Sequence, residues 1–151
     1  MNKLWPFVGR LAFWITWPTN WFYLRIGSRT RIIVTYQNRV LVVKSWLGNG
    51  KWGLPGGGRH RGESAVSAVQ RELLEETGIS LDQSAFNLIG DSVGSFNGLN
   101  YKYSLFMVNL DKLPELKPPV GEITAIQWLS RAELLANRPT SDLLAMLDRW
   151  S

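Results

Sequence analysis

Ser64 to Thr77 is a run of fourteen residues without Gly or Pro, preceded by Leu54-Pro55-Gly56-Gly57-Gly58 and stopped at Gly78. Most of these residues are good helix formers, and Gly78 stands where a left-handed C-terminal cap is wanted, so the spacing predicts one helix over 64–77. At about 100° per residue, Val66, Val69 and Leu73 share an apolar stripe. Glu72, Glu75 and Glu76 gather on the adjacent face, with the small Ala65 and Ala68 just before them. Like charges at i,i+4, such as Glu72 and Glu76, destabilise a bare helix by a few tenths of a kcal/mol, and Glu75 adds to the crowding. A cation would offset that repulsion. Clustered carboxylates are the ligands of a hard divalent ion, most simply Mg²⁺ or Mn²⁺, which often bridges them to substrate phosphates. The three glycines before the helix let backbone groups approach a metal or an anion with no Cβ in the way. A solvated glutamate face is the plain alternative for such a cluster taken alone.

The wider spacing decides between them. Gly57, Glu63, Arg71, Glu72, Leu73, Glu75, Glu76, Gly78 and Ile79 fit G-x5-E-x7-R-E-U-x-E-E-x-G-U, with U apolar. Chance produces this on the order of 10⁻⁹ times per starting position at average residue usage. The segment resembles the signature of the Nudix hydrolases at every fixed position, with no glutamate substituted. The resemblance implies an α/β fold, a Nudix-type α/β/α sandwich with a mixed β-sheet, over residues 29–151. It also implies a Mg²⁺- or Mn²⁺-dependent pyrophosphohydrolase that cleaves a nucleotide or nucleoside diphosphate derivative by attack of metal-activated water on phosphorus. Carried over residue by residue, Glu72 and Glu76 would ligate the metal directly, and Glu75 would ligate it or act through water. The backbone carbonyl of Gly56 would be a further ligand, and Arg71 with Glu63 would orient the catalytic carboxylates. Glu72 is also the candidate for orienting or deprotonating the water, although the family varies in where its base lies.

One domain is the default for 151 residues that are 45% hydrophobic. There is no cysteine, which excludes disulfides and thiolate metal sites and fits a cytoplasmic location. The net charge of +5 is unevenly spread: residues 1–62 hold ten Lys/Arg and no Asp/Glu, and residues 63–151 hold seven and twelve. Such a cationic surface suits anionic lipid, nucleic acid or a polyphosphate substrate, and no DNA partner is expected. Arg59 and Arg61, beside the glycine loop, are candidates to bind substrate phosphate in a guanidinium fork, the alternative being a solvated loop. His60 between them is the sole histidine and more simply incidental.

Residues 1–28 read as an aromatic, basic, helical arm holding four of the eight tryptophans, with Gly27-Ser28 as its joint to the domain. Arg10, the Pro18-Thr19-Asn20 break and Arg25 leave no clean span of about 20 apolar residues, and no signal-peptide pattern fits. Two readings stand. Trp14, Trp17, Trp21 and Tyr23 with Arg10, Arg25, Arg29 and Arg31 form an interfacial anchor, peripheral at an anionic inner membrane face. Alternatively, the arm packs its aromatic side on the domain or on a second subunit as a homodimer.

Elsewhere, 31–36 and 39–45 read as a hairpin around Gln37-Asn38, 51–54 as a short strand, and 86–93, 101–110 and 123–129 as strands. Residues 130–137 and 141–150 read as helices. Substrate choice is thinly marked: the aromatic and proline array of NADH pyrophosphatases and the downstream proline of one ADP-ribose group are both missing. Phe96 and Tyr101 are candidates to stack on a base, with Asn97 or Asn100 reading its edge, or else ordinary hairpin and core residues. Glu122 is a candidate for an additional metal ligand, base or substrate contact, or a plain loop carboxylate. Gln127 stands before Trp128 where certain nucleotide-sanitising members have a carboxylate. Two other functions compete: the same chemistry on a lipid-linked or headgroup diphosphate, and a nucleotide or RNA 5′-end binding module without turnover.

Overall fold

The two β-branched runs pair as an antiparallel hairpin, β1 (Arg29–Tyr36) with β2 (Arg39–Ser45), in register Thr35↔Val40 and Tyr36↔Arg39. Gln37 in the turn takes a φ of 52°, the positive value that tight hairpin turns demand. The structure, a computed structural model, describes residues 27–46, 50–96, 99–117, 123–137, 139 and 141–148, and ahead of them 8, 11, 12 and 15. Beyond the turn, β1 takes a different neighbour: the Ile32 N–H donates to the Pro55 carbonyl at 3.0 Å and that of Thr30 to Gly57 at 2.9 Å. The glycine loop thus runs strand-like beside the first half of β1. The expected strand over 51–54 shrinks to one two-way bridge between Val43 and Gly53. Pro55, two residues later, has no N–H to extend a ladder with.

β4 (Leu99–Leu110) lies parallel to β1 from Arg29↔Tyr103 to Tyr36↔Leu110. β3 (Asn87–Phe96) pairs antiparallel with β4, and β5 (Ile123–Leu129) with β2. The order is β3-β4-β1-β2-β5, a mixed five-stranded sheet. Both middle strands start or end a few residues beyond their expected limits, and a 3₁₀ turn at Gln83–Ala85 leads into β3.

The alternation of β1 sends its residues to two cores. Ile32 and Val34 join Leu41, Phe106 and Val108 under helix α1 (Ala65–Thr77), whose Val69 and Leu73 close that layer. Ile33 joins Val40, Val42, Leu54 and Leu105 beneath α2 (Arg131–Ala136) and α3 (Ser141–Leu147), which contribute Leu134, Leu143, Met146 and Leu147. The result is the expected α/β/α sandwich. α1 starts one residue later than the apolar spacing predicts because Ser64 is its N-cap, its Oγ accepting the Ser67 N–H at 3.1 Å. Gly78 closes it at φ 77°, its N–H donating to Leu74. α2 likewise starts after Ser130, which forms a capping box with Glu133.

Most of the arm lies outside the described residues. Val8, Leu11, Ala12 and Ile15 are helical, and among the described residues no helix is long and apolar enough to cross a membrane. Arg29 and Arg31, expected as part of the interfacial anchor, belong instead to β1. Arg31 Nη1 donates to the Gly56 carbonyl, and both charges act on Glu76. Tyr101, a candidate for base stacking, is buried in the α2/α3-side core with its ring 5.9 Å from that of Tyr103. Asn100 is exposed, while Asn97 and the side chain of Phe96 lie outside the described residues.

Candidate active site

α1 and the glycine loop meet through Arg71. Its Nε donates to Glu63 Oε1 at 2.9 Å and its Nη2 to Glu63 Oε2 at 3.1 Å, a two-pronged guanidinium–carboxylate pair. Nη2 also reaches the Gly58 carbonyl at 3.0 Å, and Nη1 is shared by Glu72 Oε1 at 2.8 Å and Glu75 Oε2 at 2.9 Å. One guanidinium therefore gathers three carboxylates and ties the helix to the loop. The Arg71 bond, aided by the His60 backbone N–H at 2.8 Å, holds the Glu63 carboxyl down at about 2. Arg71 in turn is held well above its usual range, chiefly by Glu63.

Glu76 faces the other way. Its Oε2 accepts the Gly56 N–H at 2.8 Å. The residue keeps some solvent-accessible surface, yet its carboxyl is packed round so densely that desolvation raises it to about 7, against the pull of the Gly56 N–H and of Arg31. Arg31 Nη1 donates to the Gly56 carbonyl. Gly56 thus carries a carboxylate on its N–H and a guanidinium on its carbonyl oxygen.

Two glycines permit this proximity. Gly56 takes a φ of 130°, and a Cβ there would fall 2.3 Å from the Thr30 carbonyl oxygen. A Cβ on Gly57 would lie 2.5–2.6 Å from the Glu72 carboxylate. The cradle on Gly57 is therefore filled by a glutamate oxygen where any other residue would put carbon.

The donor set, carboxylates of Glu72, Glu75 and Glu76 with the Gly56 carbonyl, is of the hard-oxygen kind that Mg²⁺ or Mn²⁺ takes. Among the described residues no three such side chains converge on one point as they stand, because Arg71 engages Glu72 and Glu75 while Gly56 and Arg31 engage Glu76 and its neighbour. A cation beside Glu76 would also return that carboxyl to its charged form.

The other candidates are placed apart from this cluster or are already engaged. Arg59 donates through Nε and Nη2 to the Glu63 carbonyl at 3.2 and 2.8 Å, bracing the turn before α1. Arg61 is exposed on the same turn, and Glu122 lies outside the described residues. Gln127 is exposed on β5 opposite Val42. Arg31 was not singled out for the site from its residue pattern. A signal existed: it is a charge at an inward-facing position of a β-branched strand, in phase with Ile33, where an apolar residue is the rule.

Comparisons with known proteins agree with this architecture. The family described as NUDIX domain matches residues 27–148. Phosphatase NudJ of Escherichia coli K12 is 31% identical over 116 residues, spanning 75% of this chain and 74% of that protein. Among solved structures, the NUDIX domain of Shewanella oneidensis NrtR complexed with ADP ribose superposes with a TM-score of 0.71 at 16% identity, covering 82% of this chain and 84% of that one. The Francisella tularensis bifunctional NMN adenylyltransferase/ADP ribose pyrophosphatase, complexed with AMP and a Mn ion, gives 0.70 at 19% identity over 93% and 46%. With its signature intact on α1, its sheet and helices in that arrangement and its domain matched nearly end to end, the chain belongs to the Nudix hydrolase family.

Proposed function

We propose that the protein is a Mg²⁺- or Mn²⁺-dependent pyrophosphohydrolase acting on a nucleotide or nucleoside diphosphate derivative. The observation that carries this reading is that Arg71 gathers Glu63, Glu72 and Glu75 on α1 beside the glycine loop, while Glu76 takes the Gly56 N–H of that loop. Glu72 and Glu76 would hold the ion, with Glu75 and the Gly56 carbonyl completing its protein ligands. The bound ion supplies a water of lowered pKa and neutralises charge on the attacked phosphoryl group. Glu72 would accept the proton of that water or aim it. Arg71, anchored to Glu63 and Gly58, fixes the rotamers of Glu72 and Glu75, so a shift at Glu63 is transmitted to both. Arg59 and Arg61 flank the loop where a diphosphate would arrive. Arg61 is free to swing onto it from an exposed turn, and Arg59 must first leave the Glu63 carbonyl.

The test is product release from canonical and oxidised nucleoside triphosphates, ADP-ribose, nucleotide sugars, dinucleoside polyphosphates and CDP-alcohols, with Mg²⁺ and with EDTA. Turnover of at least one diphosphate in Mg²⁺ and none in EDTA is expected. Tight nucleotide binding with no product from any of them would instead favour a binding module.

One observation favours a second setting for the same chemistry. Val8, Leu11 and Ile15 recur at helical spacing and are 47%, 54% and 71% exposed, in a segment that carries Lys3, Arg10 and Arg25 and no Asp/Glu. An exposed apolar stripe beside cationic residues suits an anionic membrane interface and a lipid-linked diphosphate. Flotation with phosphatidylglycerol vesicles tests it: the intact chain should float and a Val8→Asp/Leu11→Asp/Ile15→Asp variant should not. A chain that stays at the bottom of the gradient, or self-associates through this stripe, removes that setting.

A further inference from the structure

The signature accounts for Arg71 but not for Arg31, which stands on β1, outside the signature, and reaches the same site from the opposite layer. Its position is in phase with Ile33, so its side chain leaves the strand on the inward α2/α3 side, and the residue is half-buried. A guanidinium held there needs acceptors, because burying an unpaired cation is costly. It finds one in the Gly56 carbonyl, and its charge also acts on Glu76, which accepts the N–H of the same residue.

We propose that Arg31 is an internal stand-in cation: it occupies the Gly56 carbonyl and balances Glu76 while the site is without metal, and divalent ion entry must displace it. This rests on the metal-dependent reading above. The carbonyl that would ligate the ion and the carbonyl that Arg31 holds are the same oxygen, and one oxygen cannot face both at full strength. The arrangement has two consequences. Metal-free, the loop 55–58 stays pinned beside β1, with part of the Glu76 charge offset. Metal-loaded, the guanidinium is expelled toward the open side of the site, and the work of displacing it is subtracted from the affinity for the ion. Arg31 therefore weakens metal binding while strengthening the metal-free fold, the reverse of what a ligand-positioning residue does.

The experiment is a Mn²⁺ titration of the full chain, followed by the electron paramagnetic resonance of the free ion, for wild type, Arg31→Gln, Arg31→Lys and the remote control Arg39→Gln. Removal of the charge should tighten Mn²⁺ binding by about tenfold, from the repulsion between a divalent ion and a cation a few ångströms away. The metal-free Arg31→Gln protein should melt earlier than wild type, and its gain in melting temperature on adding Mn²⁺ should be larger. Arg31→Lys should lie near wild type, and Arg39→Gln should match it. Equal or weaker Mn²⁺ binding by Arg31→Gln overturns the proposal and leaves the metal-dependent reading standing. No Mn²⁺ binding by wild type or any variant overturns both. Should Arg31→Gln not fold, the Nε–Hε resonance of Arg31, assigned by its loss in Arg31→Lys, provides the second reading. It should move on saturation with Mg²⁺, and a resonance that stays in place overturns the proposal.

Discussion

Glu63 and Glu76 lie thirteen positions apart, on either side of the same glycine loop, and have been driven in opposite directions: one to about 2, the other to about 7. Glu63 is held by a two-pronged arginine and the His60 backbone N–H, which together outweigh its desolvation. Glu76 is packed against the loop with one backbone N–H and a more distant cation, too little to offset desolvation. The difference teaches that the site has a settled half and an unsettled half. The Arg71–Glu63 half is complete as it stands. The Glu76–Gly56–Arg31 half is under-compensated, and a divalent ion is the simplest addition that would complete it.

The largest effect expected from breaking this contrast is on turnover. Glu72→Gln and Glu76→Gln should each lower the rate by at least roughly 10²–10³ with Mg²⁺ saturating and the circular dichroism unchanged, because each removes charge from the place where the proposed ion would be held. Full activity in either variant would remove that residue from the site. Gly57→Ala comes next. Its methyl group would meet the Glu72 carboxylate at 2.5–2.6 Å, so the carboxylate must move, and kcat should fall by about tenfold or more while the melting temperature changes little. A variant that keeps its kcat would show that the Glu72 position is not critical.

Gly78→Ala acts on stability instead. Gly78 holds φ 77° at the helix end, with its missing Cβ 2.8 Å from the Lys117 Cβ and 2.9 Å from that residue's N and O, so urea unfolding should show a loss of about 2 kcal/mol. The settled half has its own signature in acid. Because the folded Glu63 carboxyl lies below its ordinary value of 4.5, its contribution is present above about pH 4.5 and lost as pH falls toward 2. Glu63 is partly open to solvent, so the amount is discounted to about 1 kcal/mol. Glu63→Gln should flatten the stability profile across that window, and an unchanged slope would mean that the Arg71 pair contributes nothing to folding. The smallest effect is at the cap: Ser64→Ala should cost about 1 kcal/mol or less by thermal unfolding.

The two halves also differ in how far they could be read without a structure. Glu63, Arg71, Glu72, Glu75 and Glu76 lie within one short stretch, and a helix fixes their spacing, so their neighbourhood was visible in the chain itself. The strands and the helix followed from the same local logic, since each announces its own period, whereas the sandwich was what the resemblance implied. Arg31 reaches Gly56 across twenty-five positions, through a pairing of β1 with the glycine loop that no local period encodes. The same pairing explains why the run after Lys51 failed to become an ordinary strand: its place in the sheet is taken up by the loop that carries the site. Arg59 was legible as a charge near the loop, but its bond to the Glu63 carbonyl depends on a turn whose geometry residue types alone do not fix.

The most direct test of the account is to run the reaction in ¹⁸O-enriched water with Mg²⁺ and to follow the products by ³¹P nuclear magnetic resonance, using ADP-ribose or whichever diphosphate of the substrate panel turns over. The account predicts an isotope-shifted phosphorus signal in one product, none in the other, and no product at all in EDTA. Label on carbon, or undiminished turnover in EDTA, would contradict attack by metal-activated water on phosphorus.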